Sequence, residues 1–192
     1  MAARDGMTDL ISLIRDFAVS GTADYTLNTT TYWTDEQLQT VLDRHKLAVV
    51  REELVPISSY NAGTVEYLEY RSAYGNYEET TGGTAIFEIE YGTGVTVGTA
   101  LWSMDYANGI LTFDADTAGS AFYINGTSYD VYRAAAEVWR MKAGHHSGAV
   151  DFSTDNMTVK RSQMIQNDRE QAIYYAGMGR VQTIQTQTTD TT

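Results

Sequence analysis

The sequence predicts an α+β chain: a small helical bundle of two N-terminal and two C-terminal helices, an inserted antiparallel β module, and an extended C-terminal tail. Three observations lead there. Apolar residues recur at three- and four-residue spacing toward both ends of the chain. After Pro56, the only proline, the period becomes two and remains so to about Tyr129. That middle stretch also holds nine of the fourteen tyrosines and ten of the sixteen glycines, the residues of half-buried strands and tight turns. The expected segments are an N-terminal helical half (1–55), an acidic β module (56–129), a C-terminal helical half (130–180) and the tail (181–192).

Residues 8–18 read as an amphipathic helix with Leu10, Ile11, Leu13, Ile14 and Phe17 on the buried side, followed by a threonine-rich loop. Thr34-Asp35-Glu36-Gln37 is a capping box, and Leu38, Val41, Leu42, His45 and Val49 follow at helical spacing, so a second helix is expected to run on toward Pro56. Ile86 to Tyr91 alternates apolar and acidic residues, as a half-buried strand does. Asn108-Gly109, between Met104–Tyr106 and Ile110–Phe113, predicts a hairpin, and Asn125-Gly126 predicts another tight turn. Val131, Ala134, Ala135, Val138 and Trp139 place a small-residue face on the third helix, with Trp139 as its core anchor. The last helix carries only a thin apolar stripe, Met164, Ile165, Ile173 and Ala176, and needs a neighbour to complete its burial.

The net charge is −12 and unevenly spread. Between Pro56 and Tyr129 nine acids face one base, Arg71, so that segment alone carries 1 − 9 = −8. Such a chain does not hold nucleic acid by counterion release. No run of about eighteen apolar residues exists, so no membrane span is expected. The first residues lack the apolar core of a signal peptide, and none is expected. The absence of cysteine removes disulfides and thiolate metal sites together.

The small-residue helix ending at Trp139 is followed by a polar loop, Val150-Asp151-Phe152, a Ser/Asp turn, Val159-Lys160-Arg161-Ser162-Gln163 and a final helix. Ahead of it stand Asn108-Gly109-Ile110-Leu111-Thr112-Phe113 and Tyr129-Asp130-Val131-Tyr132. Over roughly residues 100–178 this order resembles the head–tail adaptor (connector, head-completion) proteins of tailed bacteriophages. The resemblance implies a structural virion protein, made in the host cytoplasm, that forms a homo-oligomeric ring, usually of twelve copies, between portal and tail. It implies a portal protein and a tail or tail-completion protein as partners, with genomic DNA passing through unbound. Docking on the portal through the C-terminal segment is implied as well, which points to Arg169, Arg180, Val181, Thr183, Ile184 and Thr186. The strand-prone tail suits that role, since it buries too little surface to order alone but can add to a neighbouring sheet.

Other candidates have plainer readings. His145-His146 near a helix C-terminus suits the helix dipole, and no third metal ligand stands at ligand spacing. Asp114 to Gly119 lacks the bidentate glutamate of a calcium loop and reads as a turn. His45 reads as a structural histidine on a helix face. The glycine-rich 92–98 stretch has no following lysine or helix, so it is no phosphate loop. No catalytic, metal or cofactor site is expected. A tyrosine- and glycine-rich β module that binds glycan or a host surface is the alternative from another class.

Overall fold

The structure, a computed structural model, describes residues 3–19, 21, 24–27, 29–79, 87–147, 152–154, 157–159 and 161–180. A 3-10 turn at Asp5–Met7 leads into α1 (Thr8–Ala18). A short hairpin follows, β1 (Tyr25–Leu27) with β2 (Thr30–Tyr32), and then α2 (Asp35–Leu42). The side chain of Gln37 accepts the backbone N–H of Thr34 at 3.1 Å, which closes the entry to α2 as the capping box requires.

From there the chain departs from the expected bundle. A 3-10 turn at Asp43–His45 ends the helical run, and β3 (Lys46–Glu53) begins ten residues before Pro56. β4 (Val55–Asn61), β5 (Thr64–Arg71), β6 (Glu88–Tyr91), β7 (Trp102–Asp105), β8 (Ile110–Phe113) and β9 (Phe122–Tyr129) follow. α3 (Val131–His146), the hairpin β10 (Phe152–Thr154) with β11 (Met157–Val159), and α4 (Arg161–Met178) complete the described chain. Among the described residues eleven strands thus form four antiparallel sheets. A helical bundle with an inserted β module is therefore not the fold. It is a strand-rich α+β layout with a helical layer and a C-terminal helix pair.

Pairing across distant sequence explains the difference. Lys46 to Val49 pairs with Tyr129 to Gly126, and Glu52–Glu53 with Ile124–Tyr123, so β3 satisfies its backbone on a strand some eighty positions later. Helical spacing from Leu38 to Val49 carries no trace of that partner. Pro56 terminates nothing: it lies in β4, an edge strand, where a missing N–H costs no ladder bond. Nor does Asn125-Gly126 turn the chain. β9 runs straight through it, between β3 and β6. The Asn125 side chain accepts the N–H of Arg51 at 2.7 Å and donates to Glu90 at 2.7 Å. A Cβ at Gly126 would stand 3.1 Å from the Phe87 ring, so the glycine serves close packing.

Two cores result. Sheet β3-β9-β6 and sheet β4-β5-β8-β7 face each other around Val49, Ile89, Ile124, Tyr70, Leu111, Phe113 and Phe122. Phe113 and Phe122 meet across that space with ring centroids 4.4 Å apart. The second core joins α1, α2 and α3 through Leu10, Ile14, Leu38, Leu42, Ala134, Ala135 and Val138, with Trp33 and Tyr129 wholly inside it. Tyr129 ends β9 and is the joint between the two. Its hydroxyl donates to Glu78 at 2.6 Å, while Arg4 bonds Glu78, Asp43 and the same hydroxyl. α4 returns along α3 in the opposite direction: His146 meets Asp168 at 2.8 Å, and Gly179 lies against Arg133. Most of its outer side, Met164, Ile173, Tyr174 and Met178 included, stays exposed.

Candidate functional site

Two open pockets of similar size lie near the two ends of β9. The first, about 250 Å³, opens where β8 leaves the sandwich and β9 enters it, over Tyr91, Phe113, Phe122 and Leu101. The connecting loop carries Asp114 and Asp116 to its lip. One Asp116 oxygen accepts the backbone N–H groups of Tyr67 (2.8 Å) and Ala118 (3.0 Å), which hold its carboxyl below the usual carboxylate range. Thr117 donates to the Tyr67 carbonyl at 2.8 Å and shares a hydrogen bond with the Tyr70 hydroxyl. The loop is therefore pinned to β5, and its aspartates have a fixed place. The Asp114 carboxylate makes no ion pair or side-chain hydrogen bond among the described residues.

The second pocket, about 240 Å³, is cationic. His45, Arg133, Ala136 and Arg140 line it, with Ala176 of α4 opposite. Positions 133, 136 and 140 fall on one face of α3, and the two alanines leave the space between the guanidinium groups open. Glu137 takes His45 at 2.7 Å and Arg44 on its other oxygen, so its charge is already matched. Asp130 is likewise occupied, capping α3 through the N–H of Arg133 (3.0 Å), accepting that of Arg180 (2.7 Å) and pairing with the Arg133 guanidinium at 3.6 Å, so Arg140 is the lining cation left without a carboxylate among the described residues. The Arg140 side chain is exposed and makes no ion pair or hydrogen bond among the described residues.

The length of β9 separates the two ends. Phe122 lines the aromatic pocket, and Tyr129, seven residues on, leads into the helix that carries Arg133. At about 3.3 Å per residue the strand alone spans roughly 23 Å. An aromatic, acidic pocket and a basic cleft thus stand toward opposite ends of β9.

The sequence candidates are distributed as follows. Arg169 is exposed on α4. Arg180 is turned inward: it donates to the Gly75 carbonyl at 2.9 Å and lies over the Tyr74 ring at 5.2 Å, so its charge serves the chain's own packing. Val181, Thr183, Ile184 and Thr186 fall outside the described residues. Trp139 is half-buried at the border of the helical core and donates to the Phe17 carbonyl at 3.2 Å. The wholly buried tryptophan is Trp33.

His145 and His146 do not act together. The Tyr25 hydroxyl shares a hydrogen bond with His145, whose ring lies tilted against Tyr32 at 4.4 Å between centroids, and His146 pairs with Asp168. Burial pushes the Tyr25 hydroxyl up to about 12. Burial, with the charge of His146 beside it, lowers the pKa of His145. Lys142 pairs with Asp24 nearby, over the Trp139 ring. This polar–aromatic joint ties the β1–β2 hairpin to α3, and Asp168 brings in α4. No local pattern announces it, because its members come from four separate stretches. Among the described residues no group of three or more His, Asp or Glu is placed to hold a metal ion, and no helix is long and apolar enough to cross a membrane.

In comparisons with known proteins the chain matches no family model, no curated protein and no solved structure.

Proposed function

We propose that this chain is a ring-forming structural protein of a phage neck, a head–tail adaptor set between portal and tail. The observation that carries the reading is the unlike chemistry of its two ends: aromatic and acidic at the sandwich, cationic at the α3–α4 cleft. Identical subunits close into a ring through heterologous contacts, which need two different and complementary surfaces on each copy. The resemblance over residues 100–178 points the same way. A net charge of −12 favours a passage along which DNA slides without adhering, since negative walls repel phosphates. Portal docking then falls to exposed Arg169 and to segment 181–192.

The test is reconstitution. Purified protein added to portal-bearing heads that lack a neck should add a ring of density under the portal and stop loss of packaged DNA. Heads that bind no protein at any concentration overturn the reading. A second reading, a glycan-binding β module, is favoured by the aromatic walls and carboxylate lip of the sandwich pocket, a common arrangement for stacking and hydrogen-bonding a sugar ring. A glycan array decides it: a reproducible hit lost on changing Tyr91, the exposed aromatic of that pocket, would favour that module.

A further inference from the structure

The two pockets fit each other. We propose that Arg140 of one copy enters the aromatic, acidic pocket of the next, which names the contact on which the ring reading above would rest. Arg140 is an exposed cation with no carboxylate of its own, and Asp114 is an exposed carboxylate with no cation of its own, among the described residues. An arginine side chain suits the receiving pocket in each of its parts. Its methylene stem lies along Leu101, which is exposed, and its planar head against the exposed Tyr91 ring, over a floor made by buried Val97, Phe113 and Phe122. The guanidinium meets Asp114 at the lip, where the fork of N–H groups matches a carboxylate. Lysine, a compact and strongly hydrated charge, gains less from such a site.

The positions fit a closing ring. Because the donor and the receptor stand at opposite ends of β9, a copy cannot satisfy both from itself, and every copy offers one of each. One arginine does not make an interface, which needs about 800 Å² from each partner. Apolar surface is available beside both features: Leu101 at the pocket, and Ile173, 72 % exposed, on α4. The ion pair then fixes the register of the contact and excludes wrong partners, which is what charge complementarity does best.

The full-length chain is assayed for ring formation by native mass spectrometry, with and without portal, and each variant's melting temperature is checked first. Arg140→Glu and Asp114→Arg should each raise the protein concentration at half-assembly at least about tenfold. The double variant Arg140→Glu/Asp114→Arg should return to near the wild-type value, because each contact again pairs opposite charges. Neither side chain makes an ion pair or hydrogen bond within its own subunit among the described residues, so all three variants should melt like wild type. Arg140→Glu rings that form as readily as wild type would overturn the contact while leaving the ring intact. So would a double variant no better than the singles, or an Asp114→Arg variant that loses glycan binding with its assembly unchanged. A wild-type chain that stays monomeric with portal present overturns the ring reading itself.

Discussion

Tyr129→Phe deletes one hydroxyl at the joint between the two cores, and its cost follows from its partners. The hydroxyl donates to Glu78 at 2.6 Å and accepts from Arg4 at 3.1 Å, with the ring 1 % exposed. Burial and that bond to Glu78 push the Tyr129 pKa upward, so it remains a donor at every pH at which the protein is handled. A hydrogen bond to a charged group contributes about 1.5–3 kcal/mol. Glu78 keeps Arg4 at 2.8 Å and Arg4 keeps Asp43, so the network is thinned but not broken. The loss should therefore fall low in that range, about 2 kcal/mol. For a chain of this length it corresponds to a Tm lower by roughly 4–8 °C. Differential scanning calorimetry at neutral pH measures it. The variant should melt in a single transition, because the same side chain serves both cores. A Tm within about 1 °C of wild type, or separate melting of the two cores, would refute the reasoning.

Three further outcomes are expected. Gly109 has φ +68 and a Cβ there would stand 1.9 Å from the Tyr74 carbonyl oxygen, so Gly109→Ala should cost more than about 2 kcal/mol. Gly98→Ala, with open space around it, is the control that should leave urea denaturation unchanged. Trp33→Ala should cost about 3–5 kcal/mol as a wholly buried side chain, and half-buried Trp139→Ala distinctly less. Equal urea midpoints for those two would contradict the packing described. His145 has a folded pKa lowered by burial and by His146, so the unfolded chain takes up the proton first as pH falls. Its contribution is complete above the unfolded value of about 6.5 and is lost as pH drops through it. Wild type should accordingly lose more Tm than His145→Gln between pH 7.5 and 5, and parallel curves would exclude the effect.

Local chemistry was legible in the sequence and distant pairing was not. The first two helices start where their signals place them, because caps and apolar stripes act within a few residues. Asn108-Gly109 joins β7 to β8 as its hairpin signal predicts, with Gly109 donating to Asp105 at 2.8 Å. The same dipeptide at 125–126 lies within a central strand, because β3 and β6 flank it and capture the asparagine side chain. Periodicity misassigned 46–53 for a related reason: Leu47, Ala48, Val49 and Val50 satisfy a helix or a strand equally, and β9 decides. The small-residue face of α3 was legible, since Val131, Ala134, Ala135 and Val138 are all buried and Trp139 packs half-buried against that core, but the wholly buried Trp33 was not singled out. The two pockets were not legible at all. Arg133 and Arg140 come to share a cleft only because α4 closes its third side.

The central claim is that each copy joins the next through unlike ends. Native mass spectrometry of equimolar wild-type chain and portal tests it most directly. A discrete closed assembly of many copies, with Arg140→Glu and Asp114→Arg chains each failing alone yet co-assembling when mixed in alternation, is the predicted result. A two-fold dimer as the only assembly, or a monomer throughout, would contradict it.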